Sequence, residues 1–221
     1  MTPQQTVETE PTRTQSFGDW LQANTRAFTI AGAVVLIAGA GYWFYLRSAE
    51  IKRQNAERGL NQAKQSLSSG NAALARSDLE KVASRYQGTP AGAQAAMILA
   101  QLDYDQGKYA DGEKVLAPYQ SGTAAGPNLA AVWALTADGQ LGEGKPAEAA
   151  SSYLKAADAT SFPGEKALHL AQAARAFMLA GKNAEAQSLW QKLADDPNAA
   201  PVHNEAQIRL GELAAKPAGR S

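Results

Sequence analysis

A fifteen-residue pattern occurs four times in this 221-residue chain, and it constrains the fold more than any other feature. Aligned on a glycine, the copies read SGNAALARSDLEKVA from Ser69, QGKYADGEKVLAPYQ from Gln106, EGKPAEAASSYLKAA from Glu143 and AGKNAEAQSLWQKLA from Ala180. The aligned glycines are Gly70, Gly107, Gly144 and Gly181, so each step is 37 residues. A fixed period in this range is typical of a solenoid, in which each unit buries its apolar face against the next.

Other residue types keep the same phase as the glycine. An alanine precedes each glycine by seven residues, a small residue follows after five, a large apolar residue after nine, and a proline after nineteen or twenty. These positions are Ala63, Ala100, Ala137 and Ala174; Ala75, Gly112, Ala149 and Ala186; Leu79, Leu116, Tyr153 and Trp190; and Pro90, Pro127, Pro163 and Pro201. We expect the proline to begin a helix and the glycine to end it with a positive φ, before a second helix follows. The small residues would let two helices approach closely, and the large apolar residue would fill the gap between units. The sequence therefore predicts an all-α fold of about four helix hairpins.

This pattern resembles the tetratricopeptide repeat (TPR), in which a small residue, Gly-x-Tyr, alanine, an aromatic or leucine residue and proline occur at these relative offsets. The second copy matches best, with Ala100, Gly107, Tyr109, Gly112 and Leu116. The period is 37 rather than the usual 34, and we place the additional residues in loops between hairpins, such as SGTAAGPN at 121–128. The resemblance implies a TPR-like α-solenoid over about residues 50–199, followed by a terminal capping helix, HNEAQIRLGELAAK, at 203–216.

An apolar segment precedes the repeats. Ala27 to Leu46 contains 20 residues without a charge, bracketed by Arg26 and Arg47. At 1.5 Å per residue such a helix spans the roughly 30 Å hydrocarbon core of a bilayer. It ends in a cluster of aromatic residues rather than in the small residues of a cleavage site, which favours an uncleaved signal anchor over a cleaved signal peptide. We predict three regions: 1–26, a polar tail and interfacial segment; 27–46, a single transmembrane helix; and 47–221, the TPR-like repeat domain.

Small residues recur at intervals of seven within the predicted span. They form a smooth stripe along which another helix could approach closely, and this would support a homo- or hetero-oligomer through the span. The alternative is that glycine and alanine are simply common in membrane helices. The predicted membrane-anchor residues are Ala31, Gly32, Gly39, Ala40 and the aromatic Trp43.

The charges beside the span predict an orientation. Only Arg13 and Arg26 precede it, whereas five basic residues follow within about twenty positions: Arg47, Lys52, Arg53, Arg58 and Lys64. Because Lys and Arg are enriched in cytoplasmic flanks, this distribution favours a cytoplasmic repeat domain.

Composition excludes several classes of function. The formal net charge is zero and no basic cluster is interleaved with aromatic residues, which argues against nucleic-acid binding. Cysteine is absent, so disulfides, thiolate metal ligands and thiol nucleophiles are excluded. The two histidines, His169 and His203, lack partners at the spacing of a metal site or a catalytic triad, and no phosphate-binding glycine motif occurs. We therefore expect no enzyme, no cofactor and no metal.

Solenoids of helix hairpins bind partner segments on the concave face, which the first helix of each unit lines. Counting back from each glycine predicts the residues of this groove. They are Gln94, Gln101, Tyr104, Asp105, Asp138, Arg175 and Met178. This set mixes amides, an aromatic residue and both charge signs, and it lacks a Lys/Arg clamp for an acidic peptide terminus. The alternative interpretation is that these are merely solvated helix faces.

The whole layout resembles the YfgM-type ancillary subunits of the SecYEG translocon. The likeness lies in a short polar tail, one N-terminal span ending in YWFYLRS, and a modest helical-repeat domain that follows directly. It implies a single-pass protein of the bacterial inner membrane with a periplasmic repeat domain, whose partners are translocon subunits, chaperones or secreted chains. This orientation conflicts with the flanking charges. We follow the resemblance, because long domains translocate largely regardless of their charge. The competing hypothesis is a structural accessory subunit of another membrane complex, held mainly through its span.

Overall fold

The computed structural model describes residues 25–215, and over that range the chain is helical with no strand. This confirms the all-α prediction. The chain divides into two compact units, Met1–Glu50 and Ile51–Ser221. The predicted polar tail and interfacial segment lie outside the described residues, except for their last two positions.

The described part of the unit Met1–Glu50 belongs to helix α1, which runs from Thr25 to Ser68. Its apolar side chains are exposed: Leu36 is 75% exposed and Ile37 is 73% exposed. It is the one helix in the described part of the chain that is long and apolar enough to cross a membrane, and none of its most apolar stretch is buried. The core helix of a soluble protein would bury this surface. This exposed apolar surface is consistent with a membrane span or a signal anchor, because lipid would cover the side chains of a helix in a bilayer.

The unit Ile51–Ser221 consists of helix hairpins followed by a final helix. After α1 come α2 (Ala72–Arg85), α3 (Pro90–Tyr104), α4 (Tyr109–Leu116), α5 (Gly122–Ala125), α6 (Leu129–Gly142), α7 (Pro146–Ala159), α8 (Pro163–Leu179), α9 (Asn183–Asp195) and α10 (His203–Ala215). Four hairpins pair residues 51–68 of α1 with α2, α3 with α4, α6 with α7, and α8 with α9. We call the first helix of each hairpin, together with α10, an inner helix, and the second an outer helix. Outer helix α7 packs extensively on both α6 and α8, so neighbouring units share one interface. The predicted solenoid of four hairpins and a capping helix is confirmed.

The turn inside each hairpin has the same backbone structure. Its glycine has a φ between +72° and +79° at all four positions. In the second unit the amide of Gly107 donates to the carbonyl of Tyr104, and the amide of Lys108 donates to that of Asp103, both at 2.8 Å. Equivalent pairs of bonds close the other three turns. This is a Schellman motif, which needs a left-handed residue after the helix and therefore favours glycine.

The residues in phase with these glycines form the core. All four alanines seven residues before the glycine are 0% exposed, and so are the three alanines five residues after it. The large apolar residues nine after it, Leu79, Leu116, Tyr153 and Trp190, are at most 3% exposed. Burial of these positions fits close contact within a hairpin and a filled seam between hairpins.

The prolines between units do not all begin a helix. Pro90 and Pro163 are the first residues of α3 and α8, as predicted. Pro127 and Pro201 instead lie in 3₁₀ turns, Gly126–Asn128 and Pro197–Val202, and the next helix begins two residues later. A 3₁₀ turn accepts proline for the same reason as a first helical turn, since the missing N–H has no partner to lose there.

The additional residues at 121–128 are short helical turns rather than an open loop. Helix α4 has only eight residues and leads into the 3₁₀ turn Ala117–Tyr119, in which Pro118 lacks the N–H that a continuing helix would need. Tyr119 is 1% exposed, and its hydroxyl donates to the carbonyl of Ala83 at 2.5 Å. The short helix α5 and the turn Gly126–Asn128 then carry the chain to α6.

Candidate functional site

The inner helices present one continuous set of side chains, which we call the inner face. Two contacts define its register. Lys64 Nζ donates to Gln94 Oε1 at 3.4 Å, and Arg175 Nε donates to Glu205 Oε1 at 2.7 Å. Each contact joins a residue six before one glycine to the residue 30 positions later, on the next inner helix. Corresponding side chains of successive inner helices are neighbours at these two boundaries, and the constant step of 37 residues assigns the same pairing to the other two.

The same register pairs Gln101 with Ala131 and Asp138 with Leu168. These two steps differ from the outer two, because Ala131 and Leu168 carry no polar side-chain atom that could satisfy Gln101 or Asp138. Gln101 instead donates from Nε2 to Oδ1 of Asp105 at 2.9 Å. Asp105 is the C-cap residue of the same inner helix, α3. The hydroxyl of Tyr153, on the outer helix α7, donates to Asp138 Oδ1. The middle of the inner face thus keeps polar groups that, within the described residues, form no hydrogen bond or ion pair with a neighbouring inner helix, although His169 on α8 lies close enough to Asp138 to act on its charge.

The residues predicted for the groove divide into three groups. Gln101, Asp105, Asp138 and Arg175 are exposed, and Gln94 and Met178 are half-buried. Tyr104 is only 8% exposed, so it belongs to the core and not to the exposed groove. Its ring lies between α4 and α6, against Gly112 and Gly139, because both glycines leave space for it. Met178 also faces inward in part, since its sulfur accepts a hydrogen bond from Trp190 Nε1 at 3.4 Å.

Two exposed apolar residues of the inner face were not predicted. Leu168 is 47% exposed and Leu179 is 71% exposed. The repeat register already contained the signal for both of them. Leu168 precedes its glycine by thirteen residues, as Gln94 does, and Leu179 precedes it by two, as Asp105 does. The C-terminal half of the face is therefore more apolar than the predicted residues indicated.

The charged residues in the C-terminal part of this face form ion pairs, whereas Asp138 forms none within the described residues. Arg175 makes a bidentate ion pair with Glu205, and Arg209 reaches Glu212 at 2.8 Å. The hydrogen bond from Arg175 is the main cause that lowers the pKa of Glu205 below its ordinary value. Burial raises the pKa of Asp138, an effect that the Tyr153 hydroxyl and the nearby His169 oppose. Although Asp138 is exposed as a residue, its carboxyl group is thus partly desolvated by the packed helices.

An apolar hollow of about 330 Å³ lies between α2 and α4, lined by residues that include Leu99, Val115 and Tyr119. The charged residues at its rim are each paired on their own helix, Glu80 with Arg76 and Lys114 with Asp111. Nothing in its lining distinguishes one kind of ligand. Among residues 25–215, no group of three or more histidine, cysteine, aspartate or glutamate residues has the arrangement of a metal site.

Comparison with known proteins agrees with this architecture. The profile of the tetratricopeptide repeat-like domain matches residues 18–214, nearly the whole chain. The chain belongs to the tetratricopeptide repeat-like domain family. Domains of this class are scaffolds for protein–protein interaction, so the inner face is the expected place of contact.

Solved structures show the same fold. A crystal structure of the nearly identical TPR-like repeats of a Podospora anserina protein, described as a kinesin light chain, superposes with a TM-score of 0.50. The sequence identity is 18%, and the alignment covers 74% of this chain and 94% of that one. At this identity the likeness concerns the fold. No curated protein matches the chain.

Polar groups also lie buried between the second and third TPR-like units. The hydroxyl of Tyr104 and Oε1 of Glu113 are buried, and neither has a hydrogen-bond partner within the described residues. Burial is the main cause that raises the pKa of Glu113, and the negative charge of Glu143 adds to it. No sequence motif marks Glu113, because its burial depends on how α4 packs against the end of α6.

Proposed function

We propose that this chain is a membrane-anchored TPR scaffold for protein–protein interaction, and that it is an ancillary component of the translocon and periplasmic chaperone network. The observation that carries the proposal is the inner face of the TPR-like unit, whose central residues Gln101, Asp105 and Asp138 are exposed and, within the described residues, form no hydrogen bond or ion pair with a neighbouring inner helix. A stack of hairpins presents such residues along an extended surface suited to a peptide segment or a partner helix.

The proposed location is the bacterial inner membrane, with 27–46 as a single span and 47–221 as a periplasmic repeat domain. The exposed apolar portion of α1 supports the span. The resemblance to YfgM-type subunits supports the orientation, and the five basic residues after the span oppose it. Translocon subunits, chaperones or secreted chains are the proposed partners.

A fusion experiment tests the orientation. Alkaline phosphatase and a fluorescent protein that matures only in the cytoplasm would each be fused after Ser221. We expect phosphatase activity without fluorescence. Fluorescence without phosphatase activity would place the repeat domain in the cytoplasm and rule out a role among periplasmic chaperones.

A second candidate is a structural subunit of another membrane complex, held mainly through the span. It is supported by the surface of α1 around Gly32 and Gly39, where an added Cβ atom would meet nothing within 4 Å. With Ala31 and Ala40 these glycines form a narrow, smooth stretch of helix, against which a second membrane helix could pack.

Photo-crosslinking in the full-length chain separates the two candidates. A photoreactive amino acid would replace Gln101 on the inner face, Trp43 in the predicted span, or Leu74 on the outer helix α2 as a control. The scaffold proposal expects partner adducts from position 101 that are absent from position 74. Adducts from position 43 alone would favour the structural subunit and contradict the scaffold.

A further inference from the structure

The four steps of the inner-face register are chemically unequal. At both ends a polar residue meets a polar partner, as Lys64 does with Gln94 and Arg175 with Glu205. In the middle two steps the equivalent residues, Gln101 and Asp138, have apolar neighbours across the unit boundary. Leu168 offers Asp138 no hydrogen bond. Within the described residues the Asp138 carboxylate accepts a hydrogen bond only from the hydroxyl of Tyr153, on Oδ1, so Oδ2 is available to a ligand that donates a hydrogen bond.

The uncompensated charge in the middle of the face is negative. Asp105 is the C-cap residue directly after α3, Asp138 lies on α6, and both are exposed. Neither forms an ion pair with any residue in the described range 25–215. The backbones of the two residues are close, because Tyr104, which precedes Asp105, touches Gly139, which follows Asp138. Ionised carboxylates only accept hydrogen bonds, so a complementary ligand must donate them.

Aliphatic surface follows directly on the C-terminal side. The repeat register pairs Leu168 with Asp138. Leu179 follows Leu168 by eleven residues, about three helical turns, and therefore lies on the same face of α8. The charged residues of this half, Arg175 and Glu205, neutralise each other through two hydrogen bonds. This half therefore presents exposed aliphatic side chains with little unpaired charge.

We infer that the middle of the inner face binds a partner segment in which a lysine or arginine stands beside aliphatic residues. The cation contacts Asp138 and Asp105, and the aliphatic side chains cover Leu168 and Leu179. This inference rests on the proposed scaffold function and specifies the chemistry of its partner. Charge complementarity selects the occupant, because an acidic segment would meet two like charges.

Peptide binding to the full-length chain, reconstituted in nanodiscs of zwitterionic lipid, tests the inference. Three fluorescein-labelled peptides of equal length would be compared by fluorescence polarisation: one with lysine and leucine residues, one with glutamate in place of lysine, and one with serine in place of leucine. Empty nanodiscs correct for binding to lipid. We expect the lysine–leucine peptide to bind most tightly, and its affinity to fall as salt is raised.

Substitutions with matched controls locate the site. Asp138→Asn keeps an oxygen that accepts the Tyr153 hydrogen bond while removing the charge, and Asp158→Asn removes an exposed charge from the outer helix α7. Leu168→Ser is matched by Leu74→Ser, since these leucines are 47% and 45% exposed and Leu74 lies on the outer helix α2. We expect Asp138→Asn and Leu168→Ser each to weaken binding by about threefold or more, and the controls to leave it unchanged.

The outcomes separate this inference from the scaffold proposal. Equal or tighter binding of the glutamate peptide, sensitive to substitution at Leu168, would overturn the cationic partner and leave the scaffold standing. Equal effects of the inner-face and control variants, or no binding of any peptide, would overturn the inference itself. The scaffold is judged independently, by the crosslinks from position 101.

Discussion

The hydroxyl group of Tyr104 lies against the backbone of Gly139, so closely that a Cβ atom at this glycine would fall 2.3 Å from the hydroxyl oxygen. The same ring contacts Gly112, where an added Cβ would lie 2.3 Å from Cε1. Tyr104 therefore joins the second TPR-like unit to the third. Gly112 and Gly139 both lie inside helices, and their lack of a side chain leaves space for the ring. The residue expected to meet a partner instead holds two repeats together.

Replacing Gly139 by alanine should destabilise the fold. The new Cβ atom would force the buried tyrosine ring to shift, and overpacking of this kind costs about 1–3 kcal/mol. Gly211→Ala is the matched control, because Gly211 is also helical but an added Cβ meets nothing within 4 Å. We expect it to stabilise α10 by about 0.5–1 kcal/mol. Urea unfolding of both variants measures the difference, and equal stabilities would contradict the packing described here.

Trp190 should contribute more stability than any surface tryptophan. It is 0% exposed in the last hairpin, and its indole N–H donates to Met178. We expect Trp190→Ala to lower the free energy of unfolding by about 3–5 kcal/mol through the cavity it leaves. Trp133→Ala provides the comparison, since Trp133 is half-buried and has Lys155 4.1 Å above its ring. That variant should lose much less, on the scale of a surface cation–π contact of about 0.5–1 kcal/mol. Thermal unfolding followed by circular dichroism compares them.

Glu113→Gln should stabilise the protein at neutral pH. Folding raises the pKa of Glu113 above its ordinary value of about 4.5, so its favourable contribution is present at low pH and is lost as pH rises through the folded-state pKa. A neutral amide avoids that loss. We expect a gain of a few tenths to about 1 kcal/mol at pH 7, discounted for solvent screening, that shrinks toward pH 4.

Unfolding titrations at several pH values check this prediction for Glu113. Glu57→Gln serves as the control, because Glu57 is exposed on α1. A gain from Glu113→Gln that did not vary with pH would show that the carboxylate charge is not its cause.

Glu205→Gln should have the opposite effect. The ion pair with Arg175 lowers the pKa of Glu205, so its contribution is present above about pH 4.5 and is lost as pH falls through the folded-state pKa. Because both side chains are partly exposed, we expect a loss of about 0.5–1 kcal/mol at pH 7 that becomes smaller as the pH is lowered toward 3. Arg175→Lys, which keeps the charge but not the bidentate geometry, should lose part of this. Chemical denaturation at pH 7 and pH 3 decides the matter, and an undiminished difference at pH 3 would argue against the ion pair.

Much of the fold could be predicted because the same residue types recur at the same offsets in four units, so that each unit supports the interpretation of the others. Gly181 ends an inner helix, Ala186 lies in a close contact and Trp190 fills a seam, and each role follows from residue size or backbone freedom at a constant offset. The apolar stretch of α1 was equally clear, since length and lack of charge are properties of the segment itself. Pro127 and Pro201 were misplaced because a proline accepts a 3₁₀ turn as readily as a first helical turn, and only the adjoining chain selects between them.

The sequence by itself determined the all-helical class, the four hairpins with their glycine turns and the single apolar segment, because these depend on backbone preferences and on periodicity. The tertiary structure alone decided that Tyr104 is buried, that Oε1 of Glu113 is buried without a hydrogen-bond partner among the described residues, and that Arg175 meets Glu205 across the unit boundary. Those facts depend on which side chains of successive units become neighbours. A repeat register states the offset of such pairs, but their chemistry becomes visible only when the helices are stacked.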